Sequence, residues 1–284
     1  TLDLREDVLH VTAGKVEGKI AAGEAAAPLA AFGEGGRAAG SLPARDVGSL
    51  PAAEWSAALS LVLPVTSTEV TKYGVNAVAL LGDRCVGTDG SALVEVRLSR
   101  ALGEPMLLPR KAAEVLAAYL NRPGDATVAA VGRAGAGGEA RMTVPGAAVR
   151  FGLTASPSGF PEYEKVLPSG PPKWRATFDK AELLSALGRA AGFSSDHSHA
   201  VKVEFGNDIA TLTSRRDDDV LRDEVACQVG LEAEWVVALD AVLAAKAWAG
   251  APDEVAIEQH EVLGPVVARR EGWLGVVMPV QIGW

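Results

Sequence analysis

Three short strings in this chain carry residue types that could do chemistry. Gly132-Arg133-Ala134-Gly135-Ala136-Gly137-Gly138 has the glycine density of a loop that cradles phosphate with backbone N–H groups. No Lys-Ser or Lys-Thr follows it, and Arg141-Met142-Thr143-Val144 reads as a strand, so a hairpin turn is expected. Asp196, His197 and His199 could ligate a metal, but histidines two apart in a Ser-rich turn lack the helical spacing of zinc signatures. A surface loop is expected there. Arg215-Arg216-Asp217-Asp218-Asp219 reads as the solvated end of a hairpin. No Ser, Cys or His sits in a nucleophile-elbow setting, and the carboxylates are scattered. Catalysis therefore has no candidate, and no cofactor is expected.

A surface that binds without reacting is the remaining possibility. Gly275-Val276-Val277-Met278-Pro279-Val280-Gln281-Ile282 reads as an apolar strand. Pro279 has no N–H to give a ladder, so pairing should stop there and leave groups free to face something else. Met278 beside it can adapt its shape to whatever docks. A terminal core strand that contains Pro is the plainer reading of the same residues.

Composition bounds both readings. At 284 residues the chain has room for roughly two domains, each able to bury its own core. Hydrophobic residues make up 48%, yet no apolar run approaches the roughly 18 residues of a membrane span. No basic-then-apolar leader is visible, and Cys85 and Cys227 are far apart, so a reducing cytoplasm without disulfides fits best. A net charge of -9 would repel DNA if spread evenly. Any nucleic-acid role must rest on a local basic surface or on topology.

The elements that would position such a surface occur twice. Ala53 to Leu63 reads as a helix, followed by strands at Val75 to Leu80, Arg84 to Val86 and Ala92 to Leu98. A second helix, Pro109 to Leu120, opens with Pro and keeps Ala112, Val115, Leu116 and Tyr119 on one face. The copy starts at Asp179, a helix N-cap before Ala181-Glu182-Leu183-Leu184, and continues with the alternating strand Val201 to Phe205. Its second helix is expected from about Glu232 to Trp248. A repeat of this length is a domain repeat, giving α+β units with two helices each on antiparallel sheet. Ser169-Gly170-Pro171-Pro172 separates the copies, so the expected division is 1–50, 51–170 and 171–284. Within 1–50, Leu2 to Ile20 reads as two strands and 21–50 as a loose Ala- and Gly-rich connector.

Four strings, read with the tail, resemble one family. They are Thr88-Asp89-Gly90 before Leu93-Val94-Glu95-Val96; Leu108-Pro109-Arg110-Lys111-Ala112; Phe160-Pro161-Glu162-Tyr163-Glu164-Lys165-Val166-Leu167-Pro168; and Ala176-Thr177-Phe178-Asp179-Lys180-Ala181-Glu182-Leu183-Leu184. With Val277-Met278-Pro279 they resemble, in order and spacing over 53–284, the sliding clamp of bacterial replicative polymerase, the beta subunit of DNA polymerase III. Each string alone is weak; five in register are specific.

The resemblance implies a DNA clamp fold: rings of six similar domains, helices lining a central hole and sheets outside. It implies a non-catalytic processivity factor whose partners are double-stranded DNA and peptides of DNA polymerase and the clamp loader. Its lining cations would be Arg110, Lys111, Lys180, Arg189 and Lys246, with Lys72 and Tyr73 in a DNA-contacting loop. An ordinary solvated helix charge is the alternative for each, and helix 53–63 carries no Lys or Arg. The peptide groove would be lined by Val75, Thr88, Gly90, Ser91, Ala92 and Leu93, then by Pro161, Lys165 and Val166. Val276, Met278, Pro279, Val280 and Gln281 would complete it.

Two departures stand out. Ser91-Ala92 replaces the family's His-Arg, and Val280-Gln281 replaces its Met-Arg, which should alter peptide preference. Apart from Leu2 to Ile20, which resemble its closing strands, the family's first domain has no counterpart, so either a homo-oligomeric ring closes differently, for example from three two-domain chains, or the sequence is a truncated product.

Overall fold

The computed structural model describes residues 2–5, 8–13, 16–21, 45–71, 74–102, 105–120, 127–132, 138–144, 147–153, 159–194, 199–231 and 235–283. They fall into two compact units, Thr1–Arg45 and Asp46–Trp284. In the first, β1 (Leu2–Arg5), β2 (Val8–Ala13) and β3 (Val16–Ala21) form an antiparallel sheet in that order. The two strands expected from Leu2 to Ile20 are thus three, since a two-residue connection suffices to reverse an antiparallel strand. The expected connector 21–50 ends in a strand, β4 (Arg45–Pro51), while 22–44 lie outside the described residues.

The second unit repeats a strand, a helix and three strands four times. The first repeat is β4, α1 (Ala52–Val62), β5 (Ala77–Leu81), β6 (Arg84–Thr88) and β7 (Ala92–Arg97). The second is β8 (Met106–Pro109), α2 (Arg110–Leu120), β9 (Thr127–Gly132), β10 (Gly138–Val144) and β11 (Ala147–Leu153). Then come β12 (Trp174–Asp179), α3 (Lys180–Phe193), β13 (Ala200–Gly206), β14 (Ile209–Arg216) and β15 (Asp219–Leu231). The last comprises β16 (Trp235–Asp240), α4 (Ala241–Trp248), β17 (Glu254–Gln259), β18 (Val266–Arg270) and β19 (Trp273–Val277). Repeats exchange strands in pairs: β8 joins β5, β16 joins β13, β12 joins β17 and β4 joins β9. The fold is α+β, as expected.

Four local readings need correction. The helix expected from about Glu232 begins only at Ala241, because Trp235–Asp240 pairs rung for rung with β13. β-branched Val236 and Val237 favour that ladder, and Asp240 then caps α4 by accepting a hydrogen bond from the Leu243 N–H at 2.9 Å. Pro109 ends β8, so α2 starts at Arg110, and the strand expected from Val75 starts at Ala77. The last strand stops at Val277, ahead of Met278-Pro279. The Asp179 cap is as read from sequence, its Oδ1 accepting from the Glu182 N–H at 3.0 Å.

One twelve-stranded sheet runs in the order β16-β13-β14-β15-β12-β17-β18-β19-β7-β6-β5-β8, and a four-stranded one in the order β11-β10-β9-β4. β15 belongs to two ladders at once: Asp219–Ala226 pairs with β14, and Cys227–Leu231 pairs with β12. At the centre β19 pairs with β7, Val276 opposite Leu93, so the sheet passes uninterrupted between segments remote in sequence. α1 packs on β6 and β7, while α4 packs on β19, β7 and β16. Strand alternation splits the apolar side chains between two layers. Val78, Leu80, Cys85 and Val94 join Trp55, Leu59 and Trp248 in the main core, and Ala77, Ala79, Val86 and Leu93 join Phe160 and Tyr163 in a smaller one.

α4 lies so close to β19 that a Cβ on Gly275 would sit 2.5 Å from the Ala247 carbonyl oxygen and 2.8 Å from the Trp273 ring. Gly275→Ala should therefore cost about 1–3 kcal/mol through overpacking. Gly188, helical and in open space, should gain about 0.5–1 kcal/mol on change to Ala. Urea titration of the two variants should give shifts of opposite sign.

Candidate functional site

The turn between β6 and β7 is built by its own side chains. Thr88, only 4% exposed, donates its hydroxyl to the Ala92 carbonyl at 2.6 Å and accepts the Gly90 N–H at 3.0 Å. Asp89 Oδ1 accepts the Ser91 and Ala92 N–H groups, each at 2.8 Å. Gly90 takes φ +99°, a region glycine enters without strain. Thr88 and Asp89 are thus committed to shaping the turn, which leaves Gly90 and Ser91 exposed.

The tail attaches to this turn. The Met278 N–H donates to the Ser91 carbonyl at 2.8 Å, and two residues on the Val280 N–H donates to the Ala238 carbonyl of β16, also at 2.8 Å. Pro279 lies between them with no N–H of its own, so one face of the tail has no ladder partner among the described residues. Met278, Pro279 and Val280 are half-buried and Gln281 is exposed.

Other residues assigned to the groove occupy different places. Leu93 and Val276 face each other across β7 and β19 at 6% and 4% exposure, in the small core beneath Phe160 and Tyr163. Ala92 points to the helix-side core, and Val75 is half-buried, its carbonyl accepting from the Ser67 N–H at 3.1 Å. Pro161, Lys165 and Val166 are exposed on the linker over the small core, with Lys165 paired to Glu162.

Sequence reasoning missed a polar cluster that holds this linker. Tyr163, 4% exposed, donates its hydroxyl to Glu95 Oε2. Arg84 Nη1 donates to the same Tyr163 oxygen at 2.9 Å and to Glu164. Burial, then the bond to Glu95, push the Tyr163 hydroxyl well above the usual phenol range, so it remains a donor. A usable signal was Glu95 itself, a carboxylate in the apolar run Leu93-Val94-Glu95-Val96 that needed a partner.

The expected lining cations are largely engaged. Arg110 pairs with Glu114 at 2.8 Å and donates to the Leu63 and Thr66 carbonyls, closing the helical turn after α1. Lys180 donates to the Ala251 carbonyl at 3.0 Å and pairs with Asp253 at 3.2 Å. Arg189 bonds Asp223 at 2.7 Å and Ser185 at 2.6 Å. Lys111 and Lys246 are exposed, with no ion pair among the described residues, and Lys72 and Tyr73 lie outside them.

Of the strings that suggested chemistry, 133–137 and 195–198 lie outside the described residues. His199 places Nδ1 3.3 Å from the Ser194 hydroxyl. Arg216 and Asp219 close the β14–β15 hairpin, as expected of a solvated end. Among the described residues no group of His, Cys, Asp and Glu could hold a metal, and no helix is long and apolar enough to cross a membrane.

No protein-family model and no curated protein matches the sequence. Solved structures do match. The DNA polymerase III beta sliding clamp of Bartonella birtlesii, bound to griselimycin, is 22% identical with a TM-score of 0.75. The match covers 99% of this chain and 76% of that one. The beta sliding clamp of C. crescentus, at 20% identity and TM-score 0.75, and the beta subunit of Thermotoga maritima, at 18% and 0.74, match over the same shares. The chain therefore has the sliding-clamp fold, which is the fold the five strings implied.

Cys85, in the core on β6, has its thiol pushed by burial from an ordinary 9.0 up to about 12. The unfolded thiol ionises near 9 while the folded one keeps its proton, so above that pH the unfolded state binds fewer protons. Stability should fall by up to about 1.4 kcal/mol per pH unit between 9 and 12, with Tyr163 adding to the slope. Urea midpoints measured across that range should show it, and Cys85→Ala should reduce it.

Proposed function

We propose that the chain is a DNA sliding clamp, a processivity factor that encircles duplex DNA and tethers polymerase and other replication and repair proteins through a peptide groove. The supporting observation is the tail, Met278-Pro279 hung between the Ser91 and Ala238 carbonyls beside the Thr88-Asp89-Gly90 turn. A flexible thioether and a backbone with one face unpaired among the described residues suit short peptides with apolar anchors. In this reading 51–170 and 171–284 are two clamp domains, and 1–50 holds part of another with the connector, whose last strand β4 joins β9. β7 is paired by β19, whereas its counterpart β15 offers Asp219–Ala226 to no further strand among the described residues. A second protomer would extend the sheet along that edge to build a ring. The protein acts as a scaffold and performs no chemistry.

Engagement of Arg110, Lys180 and Arg189 by nearby carboxylates and carbonyls favours one second reading, an adaptor that takes clamp-partner peptides without encircling DNA. Loading onto nicked circular plasmid by a clamp loader separates the two. A clamp stays on the circle and slides off once it is linearised; an adaptor is never retained.

For the groove, fluorescence anisotropy with a Gln-Leu-Ser-Leu-Phe peptide should show binding that Met278→Ala weakens about 10-fold or more. The absence of a cationic wall at Ser91-Ala92 and at Val280-Gln281 should leave it weaker than binding that includes charge-assisted contacts of about 1.5–3 kcal/mol each. Binding indifferent to Met278 would remove the groove reading.

A further inference from the structure

Phe160 and Tyr163 anchor the linker between β11 and β12 to the sheet face opposite the helix-side core. At its start, a Cβ on Gly74 would lie 1.8 Å from the Gly159 carbonyl oxygen, so the two backbones are in direct contact. Beyond it, Lys165 and Val166 stand exposed, Val166 at 55%. What fixes the short helical turn Tyr163–Lys165 in between is polar. Tyr163 carries its ring through the apolar layer of Val86, Leu93 and Val276 and ends on Glu95 and Arg84. Glu95 stands opposite Val86 on β6 and Leu274 on β19, so its carboxylate would be desolvated among apolar neighbours without the phenol and guanidinium. Arg84 lies 5.9 Å over the same ring and reaches on to Glu164, so its charge is shared between both ends of the cluster.

We infer that Glu95 and Arg84 are positioning residues for the peptide groove. By holding the Tyr163 hydroxyl they lock the linker in place before a partner arrives, and they set where Lys165 and Val166 stand without touching the peptide themselves. This rests on the groove reading above. The physical gain is preorganisation: a wall ordered in the free protein need not be ordered at the cost of affinity when the peptide binds.

Tyr163→Phe keeps the ring and the packing and removes only the latch oxygen; Glu95→Gln keeps an acceptor for it. In the intact chain, Tyr163→Phe should speed hydrogen exchange over 159–167 by about 10-fold, the factor carried by one hydrogen bond of ordinary strength, while exchange in α3 and β13 stays unchanged. It should weaken the anisotropy-measured peptide by a similar factor, and Glu95→Gln should stay close to the parent in both assays. Unchanged exchange over 159–167 in Tyr163→Phe overturns the latch, whatever the peptide does. Faster exchange with undiminished peptide affinity overturns its role in positioning. If the parent protein binds no such peptide, the groove reading falls and with it the positioning role, while exchange alone still shows whether the linker is latched.

Discussion

Everything placed near the tail depends on one ladder, the antiparallel pairing of β19 with β7. It brings Val276 opposite Leu93 and Leu274 opposite Glu95, residues about 180 positions apart in sequence. Through it, two pairs of repeats share one sheet, with a helix-side core on one face and the Phe160–Tyr163 cluster on the other. The ladder ends at Val277, which leaves Met278 beside Ser91 and Val280 beside β16. Long-range pairing of this kind is entropically costly to form, and burial of both faces offsets that cost.

Much of the architecture was legible because local chemistry announces itself. Asp179 before Ala181-Glu182-Leu183-Leu184 gave a helix start because a carboxylate can accept the orphan N–H of the first turn. The alternation of Val201, Val203 and Phe205 gave a half-buried strand. Trp235–Asp240 misled because its apolar run joins directly onto α4, and periodicity cannot separate a buried strand from a helix across so short a span. Only the partner strand β13, more than 30 residues earlier, decides it.

The candidate site was legible in outline and opaque in detail. Thr88-Asp89-Gly90 and Met278-Pro279 could be picked out by residue type, yet Thr88 turns out to serve the turn, and Leu93 and Val276 serve the core. The Arg84–Tyr163–Glu95 cluster joins three segments that no local pattern connects. The cations show the same limit, since whether Arg110 faces solvent or the Leu63 carbonyl depends on how α2 meets the end of α1. Charge counted along a sequence says little about charge available at a surface.

β15 runs unbroken from one ladder to another, its outer half on β14 and its inner half on β12. A pull on the outer half is therefore carried by covalent backbone straight into rungs that must shear together. No loop lies in that path to stretch and absorb the load. The edge and the interior are thus mechanically continuous, and a force applied at the rim is felt at Trp174 in the core.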